Sequence, residues 1–222
     1  MTQTTISETL FETLCCERSV PCTRIATTTH KTPDYEVILG TQRVLVEVKQ
    51  LDPNADDRRI HKALDEGTEI GGVASPAPRL RQQIASAYRQ LKTAAREGQP
   101  CLVVIYNNSG ILNFIDSFTV TTAMFGKYGV RLGLGSAGIV QETGRGFMGN
   151  ASVTRNTCKS LSAVCVLKNA RSGSLRLEAY HNPFALVPID QKVLAFLAAS
   201  QFRHPDPHNG IVVHWEPESV GA

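Results

Sequence analysis

No apolar run in this chain approaches the roughly 18 to 20 residues that a membrane-spanning helix needs. The opening Met1-Thr2-Gln3-Thr4-Thr5 carries no basic stretch ahead of an apolar core, so a secretory leader is not expected. Cys-x-x-Cys is missing as well. The six cysteines (Cys15, Cys16, Cys22, Cys101, Cys158 and Cys165) are too sparse in 222 residues for a disulfide framework. They lack the second spaced pair of a zinc site, and a reducing cytoplasm is the expected location. His204, His208 and His214 lack the His-x-x-x-His spacing that puts two ligands on one helix face. Gly133-Leu134-Gly135-Ser136-Ala137-Gly138 spells Gly-x-Gly-x-x-Gly, yet no strand-to-helix turn surrounds it and no acidic residue follows at ribose-binding distance. A flexible loop, with Gly144, Gly146 and Gly149 beyond it, is the better reading. Leu134 stands where a nucleophile elbow around Ser136 would need glycine. There is no recognition helix, zinc finger or helicase motif, so nothing signals sequence specificity.

What is present is an ordinary globular composition, 42% apolar and 19% charged, with enough chain for one substantial core. The most informative stretch is a predicted β-hairpin. Tyr35–Leu39 and Arg43–Lys49 are rich in β-branched residues, and Gly40-Thr41 between them suits a two-residue type II′ turn. That turn sets Leu39 opposite Gln42 and, by continuation, Asp34 opposite Glu47. A three-residue loop would instead set Asp34 opposite Val48. Strand alternation sends Glu47 and Lys49 to one face and Val46 and Val48 to the other. Two facing carboxylates repel unless a cation lies between them, and a hard divalent ion with oxygen ligands fits that place. Read without a site, Glu47 and Lys49 are the polar face of a strand and Asp34 is a turn residue.

Pro33-Asp34, a strand, a turn and then Glu47-Val48-Lys49 resembles the signature of the PD-(D/E)XK nuclease superfamily, which has the restriction-endonuclease-like fold. The resemblance implies an α/β core, a mixed central sheet flanked by helices. It implies a Mg²⁺- or Mn²⁺-dependent phosphodiester hydrolase in which Asp34, Glu47 and Lys49 are catalytic. Asp34, Glu47 and the Val48 backbone carbonyl would then hold metal. In that family a Glu of the N-terminal helix often joins the site, and Glu12 is taken for the role. Gln50 reaches the site only if the strand ends or bulges there.

Elsewhere periodicity predicts helices over Ser7–Arg18, with Leu10, Phe11 and Leu14 in its apolar stripe, and over Arg79–Glu97. Val20–Thr29 reads as an edge strand, residues 51–78 as a long loop and Cys101–Tyr106 as a buried strand parallel to the hairpin. Asn113–Phe125 and Asp190–Phe202 read as helices. Ser160–Leu167 with Ser174–Tyr180 read as paired strands, and Gly210–Trp215 as an edge strand. Residues 127–176 hold eight Lys or Arg against one Glu, while the remainder has 15 basic and 19 acidic residues. A weakly basic total thus hides a basic segment, the electrostatic footprint of a polyanion binder.

The expected organisation is a single domain, 1–222. Residues 1–110 form the nuclease-like core, and a basic, Gly-rich extension over 111–222 packs on it. The expected partner is nucleic acid, DNA above RNA, with no membrane; a homodimer would suit cutting both strands of a duplex. Arg79, Gln83, Arg145, Arg155 and Lys159 are the candidate nucleic-acid contacts. The alternative function is a non-catalytic nucleic-acid-binding or protein-interaction module on the same fold.

Overall fold

The computed structural model describes residues 4–26, 32–69, 76–110, 115–135, 138–169, 173–206 and 211–215, and for 205, 206 and 211–215 only the backbone. Helix α1 (Ile6–Glu17) starts at a capping box: Thr5 accepts from the Glu8 N–H while Glu8 accepts from the Thr5 N–H. The helix therefore begins before Ser7, which is buried within its first turn. Its apolar side, Phe11 and Leu14, is fully buried. Three strands follow, β1 (Cys22–Arg24), β2 (Tyr35–Leu39) and β3 (Gln42–Leu51), in an antiparallel meander. The turn is as the sequence implies. Leu39 faces Gln42 and Tyr35 faces Val46, and Gly40 takes a φ of 62°, a conformation cheap only for glycine.

Residues 51–78 are not one long loop. Helix α2 (Ala55–Asp65) is launched by a second capping box, Asn54 with Asp57. Residues 70–75 lie outside the described residues. Helix α3 (Ala77–Arg96) buries Leu80, Ile84, Ala87 and Leu91 along one face, the stripe its periodicity predicts. It leads into β4 (Cys101–Asn107), parallel to β3 with Glu47 beside Val103.

Helix α4 (Ser117–Phe125) is shorter than expected, and residues 111–114 are outside the described set. The glycine-rich stretch is a ribbon rather than a flexible loop. Strands β5 (Lys127–Leu134) and β6 (Val140–Met148) pair only with each other. Strands β7 (Ala163–Asn169) and β8 (Leu175–His181) form the expected antiparallel pair. The last helical segment, α5 (Gln191–Leu194), is one turn, and the helix expected to run to Phe202 has given way by Ser200 to a strand, β9 (Ser200–Asp206). Strand β10 (Ile211–Trp215) closes the edge.

The eight strands of the main sheet run in the order β1-β2-β3-β4-β7-β8-β9-β10. The chain is thus α/β, with a mixed sheet flanked by helices. The C-terminal half is woven into this sheet, since β7 pairs parallel with β4; it is not laid on a completed N-terminal core. Leu45, Leu51, Val103, Ile105, Val164 and Val166 pack beneath α3 and α4 on one face. Val44, Val46, Val48, Val104 and Cys165 pack against Phe11 and Leu14 of α1 on the other. Burial on both faces explains why β4 reads as a continuous apolar run. Among the described residues, no helix is long and apolar enough to cross a membrane.

Candidate active site at the hairpin

Continuing the hairpin register past Tyr35–Val46 brings Asp34 beside Glu47 and Pro33 beside Val48. Proline has no N–H to donate, so the β2 side offers no ladder donor to the Val48 carbonyl. The Val48 N–H donates instead to Asp34 Oδ2 at 2.8 Å. This contact holds the Asp34 side chain against β3.

Glu47 is 0% exposed although it is ionisable. Its Oε1 accepts from Lys49 Nζ at 2.5 Å, and Lys49 Nζ also donates to Gln90 Oε1 of α3 at 3.0 Å. Glu47 Oε2 is buried with no hydrogen-bond partner. Burial, and then the charge of Asp34, push the Glu47 carboxyl up to about 7 against the pull of Lys49. Burial raises Asp34 too, opposed by the Val48 N–H and by Lys49. Both carboxyls are thus harder to ionise than in water, chiefly because they are buried.

A cavity of about 350 Å³ opens here. Asp34, Glu47, Lys49 and Gln50 line it from the hairpin, and Gln83 and Gln90 from α3. The first turn of α1 and Arg24 of β1 complete the wall. Gln50 reaches the cavity after all: its Oε1 accepts from the Ser7 N–H at 3.0 Å, and its amide donates to Asp52 at 2.6 Å. The helix carboxylate in the wall is Glu8, not Glu12. Glu12 accepts from the Tyr35 hydroxyl at 2.7 Å and lines a neighbouring pocket. Glu8 and Glu12 lie one turn apart on the same side of α1, and only the placement of α1 beside β3 separates their roles.

The other sequence candidates divide. Gln83 lines the cavity. Arg79 does not; its guanidinium donates to buried Asp57 at 2.8 Å and to the Asp52 carbonyl, clamping α3 to the start of α2. Arg145, on the β5–β6 ribbon, pairs with Glu142 at 2.6 Å. Arg155 lies over the Phe184 ring at 5.9 Å, and Lys159 is half-buried in the same loop. Among the described residues, none of the basic segment lines the cavity. His204 packs between the rings of Phe125 and Phe147, and the side chains of 208 and 214 lie outside the described residues.

Among the described residues, no three His, Cys, Asp or Glu side chains gather closely enough to enclose a metal unaided. A Mg²⁺ ion does not require that, since one or two carboxylates, water and substrate phosphate suffice. The donor set of Asp34, Glu47 and the Val48 carbonyl fits such an ion. Glu47 Oε2, buried without a donor, is the atom whose position asks for a cation. Gln90 was not legible as a site residue, because nothing local in the sequence marks a glutamine that holds a lysine across the fold; Gln50 was expected there only if the strand ended or bulged, and it lines the cavity from an unbroken β3. No protein-family model matches this chain, and no curated protein or solved structure matches it.

Proposed function

We propose that the chain is a metal-dependent nuclease that hydrolyses phosphodiester bonds of nucleic acid, DNA in particular. The observation that carries this reading is the buried, donorless Oε2 of Glu47 beside Asp34, with Lys49 tied to the other Glu47 oxygen. The order of elements supports it as well. A helix, a three-strand meander carrying Asp34 and Glu47-Val48-Lys49, a helix and a parallel strand is what the PD-(D/E)XK resemblance implies. Here α2 is interposed between the meander and α3.

A Mg²⁺ or Mn²⁺ ion held by Asp34, Glu47 and the Val48 carbonyl would supply Lewis-acid charge and acidify water near neutral pH. The remaining work falls to the chain. Lys49, kept in one orientation by Glu47 and Gln90, places a positive charge where negative charge grows on the phosphoryl oxygens in the transition state. Gln83, from the α3 wall, offers amide donors to a phosphate without adding charge. Arg24, paired with Glu8, keeps the cavity rim from being wholly acidic toward an incoming polyanion.

The test incubates the protein with labelled single-stranded, duplex and branched DNA and with RNA, in Mg²⁺, Mn²⁺ or EDTA. Cleavage should require metal and should fall about 100-fold or more in both Glu47→Ala and Lys49→Ala, as for loss of a group that stabilises transition-state charge. Salt-sensitive binding without cleavage, unchanged by Glu47→Ala, would replace this reading with that of a binding module.

A further inference from the structure

The second cavity, beside α1, carries chemistry that the proposed nuclease activity does not use. Helix α1 ends in a reversal that brings the chain back along its own last turn. Ser19 takes a φ of 53°, its N–H donates to the Cys16 carbonyl at 3.0 Å, and the Val20 N–H donates to the Cys15 carbonyl at 2.8 Å. That is the Schellman pattern. Pro21 then prevents a helical continuation, and β1 starts at Cys22. The consequence is specific. The turn folds Cys22 back toward Cys15: both side chains line one pocket, and each thiol perturbs the ionisation of the other.

The surroundings make this pair reactive rather than merely buried. Cys15 is 1% exposed, whereas Cys22 is half-buried, and both line an open pocket with Glu12, Cys16 and Tyr35. The neighbouring Cys15 thiol draws Cys22 below its ordinary value, against burial and the charge of Glu12, while Cys22 and burial push Cys15 up. The half-buried Cys22 sulfur is the one a dissolved oxidant reaches, and the buried Cys15 beside it is placed to resolve. Cys101, Cys158 and Cys165 are buried elsewhere in the fold.

We propose that Cys15 and Cys22 form a reversible redox pair, oxidised to an α1–β1 disulfide by small-molecule disulfides of the glutathione class. The Cys22 thiolate attacks one sulfur of the oxidant, its S–S bond breaks, and one small thiolate leaves and takes a proton from water. Cys15 then loses its proton to solvent, and its sulfur attacks Cys22 Sγ in the mixed disulfide, expelling the second small thiol. Two protein thiols and one small disulfide become one protein disulfide and two small thiols. The bond ties α1 to β1, two residues from Arg24, whose guanidinium holds Glu8 at the cavity wall.

The native protein is incubated with oxidised glutathione, alkylated, digested with trypsin and analysed by mass spectrometry. Trypsin cuts after Arg18 and Arg24, so the disulfide joins peptide 1–18 to peptide 19–24. The expected product is two hydrogens lighter than the reduced pair, carries no glutathione, reverts with dithiothreitol, and places the bond at Cys15 on fragmentation. It persists in Cys16→Ser and disappears in Cys22→Ser. A bond placed at Cys16, a stable glutathione adduct on Cys22 without crosslinking, or crosslinking only in denaturant would each overturn the proposal. Fragmentation of the wild-type peptide gives the answer even if a cysteine variant fails to fold.

Discussion

Replacing Glu47 by glutamine should make the metal-free protein more stable at pH 8 and leave it nearly unchanged at pH 4.5. Glu47 is fully buried, and its carboxyl moves from an ordinary value of 4.5 to about 7. The folded chain thus keeps a proton on Glu47 over a range in which the unfolded chain has lost it. Stability from this group is complete below 4.5 and drains away as pH rises to 7. Above 7 the folded protein carries a buried carboxylate, at a cost of about 3 kcal/mol relative to the unfolded chain. Glutamine keeps the shape of the neutral acid and cannot ionise. For a chain of this length the difference amounts to roughly 6 to 12 °C in melting temperature at pH 8. Urea midpoints of both proteins in EDTA, at four pH values from 5 to 8, measure it. Mg²⁺ at ten times its dissociation constant should return about 1.4 kcal/mol to the wild type at pH 8 and much less to the variant. A gap that does not widen between pH 5 and 8, or that favours the wild type, would refute the reasoning.

Arg79→Ala removes the cation paired with the buried Asp57 carboxylate and should cost about 3 kcal/mol in chemical denaturation. The same variant should leave the salt dependence of nucleic-acid binding unaltered, because Arg79 is already committed to Asp57 and the Asp52 carbonyl. Ser19→Gly removes a left-handed backbone penalty at the end of α1 and should raise stability by about 1 kcal/mol, read as a shift in urea midpoint. Gly40→Ala meets the reverse situation. Its φ is 62° and the new methyl would lie 3.3 Å from the Phe196 ring, so a loss of about 1 to 2 kcal/mol is expected in the same assay.

The hairpin was legible because its determinants are local. Gly40 supplies the positive φ, alternation supplies the faces, and together they dictate that Asp34 meets Glu47. Glu8 was passed over for the opposite reason. It shares a helix side with Glu12, and the choice between them is made by where α1 docks. Helix α2 was hidden behind its own charges: only Asp57 among its residues is buried, so no apolar stripe announced it. The Asn54-x-x-Asp57 capping box was nevertheless present in the sequence. In the β5–β6 ribbon, Gly129, Gly133, Gly144 and Gly146 occupy strand positions, where glycine normally argues for a loop. Neither strand joins the main sheet, so burial offered no compensating signal.

The basic segment is where sequence and fold say different things about function. Along the chain it is a block of positive charge; in space it comes apart. Lys168 pairs with Glu178 at 2.7 Å across β7 and β8, and Arg145 pairs with Glu142 on the ribbon. Lys127 and Arg131 are exposed on β5, Arg155 on the loop after β6, and Arg176 on β8. Among the described residues, no single helix or strand gathers them, and none of them lines the cavity holding Asp34, Glu47 and Lys49. On the proposed nuclease reading, attraction and chemistry fall to different parts of the chain. Charge substitutions at Arg131 or Arg155 should then change affinity and its salt dependence, and those at Glu47 or Lys49 the rate of the bound complex.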